Sequence, residues 1–409
     1  MSRWTQVWLI AAVAALVLTI ITETGSRRPR RVSQAAPAAT ARLARGTDGI
    51  PGAAPGGWRA PTIAHGADGA ALPPDFATGG AKEADGAVQP LLAGGPGGRR
   101  RNPREPEIFD LLRNSGKAPV SPRIRELANE ATAGETNSVG KARAIYDWIT
   151  RNIVYDTAEW ESIASGAKYY IHDHDPDSVV ERGTTVCIGY AWLFDKMCEA
   201  EGIEATWLIG DVRGYRGTSD ETLVDDIRHA WNAVRLDDGE WHLLDATWGA
   251  LQEGESESEI SRDRADYYFD TPAGQFVYDH LPEDSGWQLL DAPLKAETAF
   301  QELPNLKPAF FMNGLGIDPA CTSVLRARAG TRAALPFSAP DGVDVAATIG
   351  SHGNPDSFRR IAVRNVPGEN AGAAIIPELP AGDYVLRIYS GAKGRGTLEC
   401  SADFLIRAQ

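Results

Sequence analysis

The sequence predicts an α+β fold, in which helices come first, an antiparallel sheet follows, and a separate all-β domain ends the chain. Three observations lead to this prediction. Segments with helical spacing occupy residues 107–202, three strand candidates follow as far as Trp248, and short strands separated by Pro, Gly, Asn and Asp turns begin near Leu303. Helices and strands that are segregated along a chain are typical of α+β architecture.

The length of the chain indicates how many domains to expect, and its net charge indicates which partners to exclude. A chain of 409 residues is expected to form two or three domains. Its net charge is −14, to which residues 1–104 contribute +7 (13 Lys and Arg against 6 Asp and Glu) and residues 105–409 contribute −21. Because the part that is expected to fold is acidic, we expect no nucleic acid as a partner.

The N-terminal segment, residues 1–26, is predicted to associate with a membrane. It carries no charge between Arg3 and Glu23, and a helix from Trp4 to Thr22 would span roughly 28 Å, close to the hydrocarbon thickness of a bilayer. We expect a retained transmembrane anchor, and a cleaved signal peptide is the alternative. The orientation stays open, because an arginine cluster that favours the cytoplasmic side follows the segment, at Arg27, Arg28, Arg30 and Arg31.

Residues 27–104 are predicted to be a disordered linker. They are dominated by Ala, Gly, Pro and Arg, as in PGAAPGGW and LLAGGPGGRRRNPR, and they show neither a helical nor a strand period. Order is expected to begin near Pro106. The domain boundaries that follow are 105–302 for the α+β domain and 303–409 for a C-terminal β-sandwich of short strands.

The elements of the α+β domain follow one another in a clear order. EIFDLLRNSG and SPRIRELANEAT have helical spacing, and the second has Ser121 as N-cap and Pro122 in its first turn. An amphipathic helix within residues 138–152 then runs into a short strand. A mostly apolar helix that begins near Cys187 ends at Gly202. IEATWLIGDV, HAWNAVRL and EWHLLDATW are strand candidates, and an Asp-Asp-Gly turn joins the last two.

The four cysteines leave the redox compartment open. They are too few for a disulfide scaffold and too irregularly spaced for a zinc site. Cys321 and Cys400 bracket the β-rich segment, where either a disulfide or two separate buried thiols would fit. A disulfide would indicate an oxidising compartment, and we expect a membrane-anchored or secreted protein whose body lies outside the cytoplasm.

Cys187 is the candidate nucleophile. It follows Gly183-Thr184-Thr185 at the start of the predicted buried helix, where unpaired backbone N–H groups and the helix dipole stabilise a thiolate. A nucleophilic cysteine also needs a base that takes its proton and a group that orients that base. Cys198 lies further along the same helix in apolar company, and we predict that it is an inert core thiol.

His229 is the candidate base, and Asp245 is the group that would orient it. His229 opens the strand HAWNAVRL and Asp245 lies on the neighbouring strand of the predicted hairpin, where cross-strand Cβ atoms are roughly 5 Å apart. His242 lies three residues before Asp245 on one strand, so their side chains point to opposite faces. Spacing alone leaves open whether the pair is catalytic, since core histidines and turn aspartates are common.

The other histidines are less suited to this role. His65 lies in the linker and His352 in the C-terminal domain. His172 and His174, in HDHDPD, are predicted to lie on a solvated loop rather than in a metal site, because their ligands would all come from one short segment. His280 lies in the turn-rich segment VYDHLPED.

Two sets of motifs point to a family. VCIGYAWLF and HAWNAVRLDDGEWHLLDATWG, in the order Cys, His, Asp, resemble the transglutaminase-like superfamily, which shares a papain-type core. YYFDTPAGQFVYDHLPEDSGWQLLDAPL, followed by LPNLKPAFF, is similar to the branch that contains kyphoscoliosis peptidase and the cytokinesis proteins with a transglutaminase-like domain. The resemblance covers about residues 138–315.

The resemblance implies a papain/transglutaminase-like core, with Cys187 as nucleophile, His229 as general base and acid, and Asp245 as the orienting carboxylate. It also implies acyl transfer on peptide or protein amides, by a cysteine peptidase or amidase or by a cross-linking transamidase. The expected partner is therefore a peptide or protein substrate. This chemistry requires no metal and no organic cofactor.

Two other functions stay open. Some relatives in the cytokinesis branch have lost catalytic residues and serve as adaptors, so the alternative is a non-catalytic protein-binding adaptor that is tethered at the membrane. The complete Cys-His-Asp set favours the enzyme over the adaptor. A structural protein of the cell envelope is a third hypothesis, and only the anchor and the linker support it. The oligomeric state does not follow from the sequence.

Overall fold

The structure, a computed structural model, describes residues 109, 118–164, 172–213, 227–251, 255–295, 297–366 and 370–409. The predicted membrane segment at 1–26 and the predicted linker at 27–104 lie outside the described residues. Within the described ranges, no helix is both long and apolar enough to cross a bilayer.

The first part of the α+β domain is helical, as predicted. From Pro122 to the helix that begins at Cys187, the helices are Pro122–Ala131 (α1), Ser138–Asn152 (α2), Thr157–Ala164 (α3), Pro176–Arg182 (α4) and Cys187–Ala200 (α5). Helix α1 begins where the Ser121 hydroxyl accepts a hydrogen bond from the Ile124 amide, which satisfies one of the unpaired N–H groups at a helix start. Asn137 caps α2 in the same way.

An antiparallel sheet follows these helices. Its strands are Ala205–Val212 (β3), Ile227–Arg235 (β4), Trp241–Leu244 (β5) and His280–Pro282 (β6), in the order β5-β4-β3-β6. Two short strands lie earlier in the chain and pair in parallel, Val154–Tyr155 (β1) and Thr184–Thr185 (β2). Gly239, in the β4–β5 turn, has a left-handed backbone (φ 82°), as the Asp-Asp-Gly hairpin signal predicted.

The third predicted strand is shorter than expected. Strand β5 ends at Leu244, and Asp245 becomes the N-cap of a short helix, Ala246–Gly249 (α6). The reason is local, because the Asp245 side chain accepts hydrogen bonds from the amides of Thr247 and Trp248, and such bonds favour a helix start over a strand. Two helices, Glu259–Tyr267 (α7) and Ala273–Phe276 (α8), lie between α6 and β6, and Glu297–Glu302 (α9) leads to the next domain.

Helix α5 forms the centre of the core. Its side chains Tyr190, Leu193, Phe194 and Met197 are buried on several sides and pack with α2 and with the inner face of the sheet. Burying a large apolar side chain stabilises a fold by about 1.5–3 kcal/mol, so this helix anchors the position of its own first residue, Cys187.

The C-terminal domain consists mainly of β-strands, as predicted, and one short helix, Pro308–Met312 (α10), lies near its start. Its strands are Asn305–Leu306 (β7), Val324–Ala327 (β8), Ala333–Ser338 (β9), Val343–Ser351 (β10), Arg359–Val366 (β11), Ala371–Ile376 (β12), Gly382–Ala392 (β13) and Glu399–Ala408 (β14). They form one continuous sheet in the order β7-β14-β13-β10-β11-β12-β9, with β8 beside β14. The first half of β11 pairs with β10 and its second half with β12.

Two arginines join this domain to the α+β domain. Arg213, at the end of β3, is buried and donates to the carbonyl oxygens of Leu303 (2.6 Å) and Pro304 (3.2 Å). Arg395, in the β13–β14 turn, pairs with Asp263 of α7 at 2.8 Å.

Cys321 and Cys400 are free thiols in the structure. Burial raises the pKa of Cys321 to about 12, and burial also raises the pKa of Cys400, with the Asp403 carboxylate acting in the same direction. Of the two arrangements that the sequence left open, the structure has the separate thiols. The extracytoplasmic location therefore gains no support from a disulfide and stays a prediction.

Candidate active site

Cys187 is the first residue of α5, as predicted. The short parallel pair of β1 and β2 holds the backbone just before it, and Gly183 adopts the left-handed conformation (φ 71°) that ends α4 and turns the chain into β2. The cap residue Val186 offers no side-chain hydrogen bond to the helix start. The first amides of α5 that bond within the helix are those of Gly189 and Tyr190, which donate to the Val186 carbonyl. The amides of Cys187 and Ile188 precede them at the helix start, where unpaired N–H groups and the helix dipole favour a negatively charged sulfur.

His229 lies between Asp245 and Cys187. Its Nε2 is 2.8 Å from Asp245 Oδ2, and the Cys187 side chain is near enough to influence the pKa of the ring. Since Nε2 is used by the carboxylate, Nδ1 is the nitrogen left for the thiol. Burial disfavours the charged imidazolium, but Asp245 and the neighbouring Cys187 outweigh burial and raise the pKa of His229 to about 10.

Asp245 accepts four hydrogen bonds. Its Oδ1 accepts from the amides of Thr247 (2.8 Å) and Trp248 (3.1 Å), and its Oδ2 lies 2.8 Å from His229 Nε2 and 3.1 Å from His280 Nε2. The carboxylate is fully buried. Burial alone would raise its pKa, but the two histidines outweigh burial and hold the pKa well below its usual range. The residue is therefore an ionised carboxylate with every lone-pair direction occupied.

Asp245 and His229 are not the directly opposed cross-strand pair that the sequence predicted. Pairing of the hairpin ends at Asn232 and Leu244, so Asp245 lies diagonally across from His229 rather than opposite it. Diagonal neighbours in a sheet are roughly 7–8 Å apart, still within reach of an imidazole and a carboxylate.

His280 is a site residue that the sequence did not reveal. It lies at the start of β6, with no exposed side-chain surface, between two carboxylates: Nε2 faces Asp245, and Nδ1 is 2.6 Å from Asp279 Oδ1. The Tyr268 hydroxyl donates to the other oxygen of Asp279 at 3.0 Å. The only signal was an Asp-His pair in a segment that looked turn-rich, and its place in the fold depends on pairing with β3.

Aromatic rings enclose the two histidines. The His229 ring stacks on Trp248 (5.4 Å between centroids) and on Trp231 (6.1 Å). His280 stacks on Phe276 at 3.9 Å. These rings exclude water, and charge interactions are stronger in such an environment than in solvent.

Of two other histidines, His174 and His242, only His242 lies as the sequence predicted. His174 was expected on a solvated loop, and this was wrong: it is buried, with Nδ1 3.2 Å from Thr185 Oγ1 and Nε2 3.4 Å from Glu159 Oε1. The loop closes against β2, a long-range contact that the local sequence does not encode. His242 faces away from Asp245, as predicted, and pairs with Asp270 and Asp238.

Cys198 lies in the core of the α+β domain, as predicted. It is fully buried, and burial raises the pKa of its thiol well above the usual range, with the nearby charge of Asp195 acting in the same direction. A thiol in such surroundings is a poor nucleophile at neutral pH.

One group of side chains in the described residues has the composition of a metal site. His229, Asp245 and His280 place three potential ligand atoms within 4.8 Å of one another. Both imidazoles, however, point those nitrogens at the same carboxylate oxygen, so hydrogen bonds already account for the arrangement. We therefore assign the cluster to hydrogen bonding, and the absence of a metal or organic cofactor stays a prediction.

Comparison with known proteins finds similarity over the part of the chain that contains these residues. Residues 125–246 match the model of the transglutaminase-like superfamily, and this range includes Cys187, His229 and Asp245. Kyphoscoliosis peptidase of Mus musculus is 29% identical over 226 residues, which are 55% of this chain and 33% of that protein. The Lim and transglutaminase domain protein ltd-1 of Caenorhabditis elegans is 27% identical over 205 residues, 46% of this chain and 26% of that protein.

A solved TGase crystal structure is 17% identical and covers 38% of this chain and 40% of its own, with a TM-score of 0.24, which is too low to support an argument. The chain spans about a third or less of the length of the two curated relatives. The family match and these relatives agree with the motifs in the sequence: residues 125–246 are similar to the transglutaminase-like superfamily, and about half of the chain is similar to kyphoscoliosis peptidase.

Proposed function

We propose that Cys187, His229 and Asp245 form a catalytic triad for thiol-dependent acyl transfer on peptide or protein amides. The observation that carries the proposal is the position of the His229 ring, whose Nε2 is 2.8 Å from Asp245 and whose other nitrogen is left for Cys187 at a helix N-terminus. A histidine in this position can hold the thiol ionised and can later deliver a proton.

The proposed reaction begins with a thiolate–imidazolium pair. The Cys187 sulfur attacks the carbonyl carbon of the amide, and a negative charge develops on the carbonyl oxygen. The Cys187 amide lies at the start of α5, where it has no intrahelical acceptor, so it is the natural donor to that oxygen. His229 then gives its proton to the nitrogen as the C–N bond breaks, the amine leaves, and a thioester to Cys187 remains.

The second half of the reaction decides between two activities. Neutral His229 takes a proton from water or from a primary amine, which attacks the thioester and frees the thiol. Water yields a carboxylic acid, so the overall reaction is hydrolysis. An amine, such as a lysine side chain, yields a new amide, so the overall reaction is cross-linking. Asp245 keeps the ring in one orientation and stabilises its charged form in both halves.

One observation favours the competing proposal, a non-catalytic adaptor. The Cys187 residue is only 2% exposed and belongs to a cluster of buried apolar side chains that includes Phe109, Val186 and Ile209. A substrate would therefore have to displace part of this cover before it reached the sulfur. An adaptor would need no such opening.

Activity assays on the 409-residue chain test the proposal. One assay follows the release of new amino groups from an unfolded protein substrate, and a second follows incorporation of a fluorescent primary amine into a glutamine-rich protein. We expect activity in at least one assay and its complete loss in Cys187→Ala, with Cys198→Ala as a matched control that retains it. If wild type gives no more product than Cys187→Ala in either assay, the adaptor is the better account.

A further inference from the structure

The part of the candidate site that the proposed triad does not use is a buried chain of polar groups behind Asp245. It runs from Asp245 Oδ2 to His280 (3.1 Å), from His280 to Asp279 (2.6 Å) and from Asp279 to the Tyr268 hydroxyl (3.0 Å). His280 has no exposed side-chain surface, and Asp279 is 10% exposed at its side chain. A polar chain this deep is costly to bury unless its hydrogen bonds are complete.

The hydrogen-bond acceptors around His280 indicate the protonation state of its ring. Both of its nitrogens face a carboxylate oxygen. A neutral imidazole has one N–H, so it could donate to only one of the two carboxylates, whereas an imidazolium donates to both. Asp245 is ionised for the reasons given above, and the other Asp279 oxygen already accepts from Tyr268. The geometry therefore fits a cationic His280 between two carboxylates.

We propose that His280 is a positioning residue, a buried cation that fixes the Asp245 carboxylate and sets the pH range over which Cys187 and His229 form an ion pair. This inference rests on the proposed function. His280 does not touch the sulfur or the amide in this account, and it acts through Asp245 alone.

The position of the charge supports this role. The centroids of the His280 and His229 rings are 5.8 Å apart, and both rings bond the same oxygen of Asp245. Two like charges at that separation oppose each other, so a cationic His280 makes it easier for His229 to lose its proton and for Cys187 to be a thiolate. His280 thereby limits how far Asp245 raises the pKa of His229.

The other ionisable groups around this chain come from four elements. Burial raises the pKa of Tyr146 of α2 and of Tyr190 of α5, and the charge of Asp245 acts in the same direction. Burial lowers the pKa of Arg213, the residue after β3, and raises that of Tyr267 of α7, and the charge of Asp279 raises both. Among these four only Arg213 is a cation, and its guanidinium donates to Leu303 and Pro304 rather than to Asp245. Among the described residues, the side chains that can carry a positive charge and that bond Asp245 are therefore His229 and His280.

The test is the pH dependence of Cys187 alkylation by iodoacetamide in the 409-residue chain, with the modified cysteine identified by peptide mass. It needs no substrate. The profile should have two inflections, one where the thiolate forms and one where His229 loses its proton. In His280→Gln, which keeps a donor but removes the charge, both inflections should move to higher pH by about one unit or more.

His242 provides a matched control. It also lies between two carboxylates, Asp270 at 2.6 Å and Asp238 at 3.2 Å, but it does not contact Asp245. His242→Gln should leave both inflections in place. If His280→Gln and His242→Gln give the same profile as wild type, the His280 proposal is overturned while the triad stands. If wild-type Cys187 itself titrates like a free thiol, the proposed function fails instead.

A measurement on the unmutated protein covers the case in which His280→Gln does not fold. Nitrogen chemical shifts of the imidazole, assigned by NMR at pH 7, report whether one or both ring nitrogens carry hydrogen. We expect two N–H groups on His280. A single N–H would overturn the proposal, because a neutral ring cannot bridge both carboxylates.

Discussion

Acid should destabilise the fold through His174, a residue that braces the chain just before Cys187. Its ring is buried against Thr185 and Glu159. Burial lowers the pKa of His174 from 6.5 to about 4, and the positive charges of Arg182 and His172 act in the same direction. Because the folded value lies below the ordinary one, the stabilisation is fully present above pH 6.5 and is lost as the pH falls towards 4.

The magnitude follows from these two values. One pKa unit corresponds to about 1.4 kcal/mol, and pH 5 lies about 1.5 units below the ordinary value of His174, so acidification from pH 7.5 to 5 should cost about 2 kcal/mol of unfolding free energy. Glu159 acts in the opposite direction, because burial raises the pKa of its carboxyl. A comparison of variants at the same pH values removes most of that contribution.

The assay is urea unfolding of wild type and His174→Asn at pH 7.5 and pH 5. Asparagine can keep the hydrogen bond to Thr185 but does not titrate, so its loss of unfolding free energy on acidification should be smaller than that of wild type by about 2 kcal/mol. His352→Asn is the matched control, since that residue is exposed in the C-terminal domain, and it should follow wild type. Equal losses in wild type and His174→Asn would refute the reasoning.

Three further substitutions probe the frame and the site. Gly210→Ala should cost roughly 3 kcal/mol in thermal unfolding, because its Cβ would collide with the Leu281 carbonyl of β6 and with the Trp231 ring; an unchanged Tm would contradict this. Tyr190→Phe removes the 2.8 Å bond from its hydroxyl to the Ile153 carbonyl and should cost about 1 kcal/mol in urea unfolding; a cost near zero would show that the bond does not matter. Asp245→Asn should slow Cys187 alkylation at pH 6 by about tenfold or more, since the carboxylate that favours the imidazolium is gone; a rate equal to that of wild type would remove Asp245 from the triad.

Local signals were sufficient for the elements that carry Cys187 and His229. Gly202, which has a left-handed backbone (φ 71°), marked the end of α5, and the Asp-Asp-Gly turn marked the hairpin between β4 and β5. Both signals act within a few residues, so the chain beside them determines the structure. Cys187, His229 and Asp245 were candidates from the sequence, but spacing alone left open whether the His-Asp pair is catalytic, and their proposed roles came from the family resemblance.

Long-range contacts account for what the sequence did not reveal. Strand β6 has three residues, and only its pairing with β3 brings His280 to Asp245. The burial of His174 depends on a loop that closes against β2. The end of β5 was also missed, since an aspartate can lie within a strand or cap a helix. Here the Asp245 side chain accepts from the amides of Thr247 and Trp248, and a helix begins.

The central claim is that Cys187 is held as a thiolate by His229, and the rate of Cys187 alkylation by iodoacetamide against pH tests it most directly. We expect wild type to react well below the free-cysteine pKa of about 8.5, and His229→Ala to lose that reactivity at low pH. Cys198, fully buried on the same helix, should react far more slowly in both. A Cys187 profile like that of a free thiol, or one that His229→Ala leaves unchanged, would contradict the account.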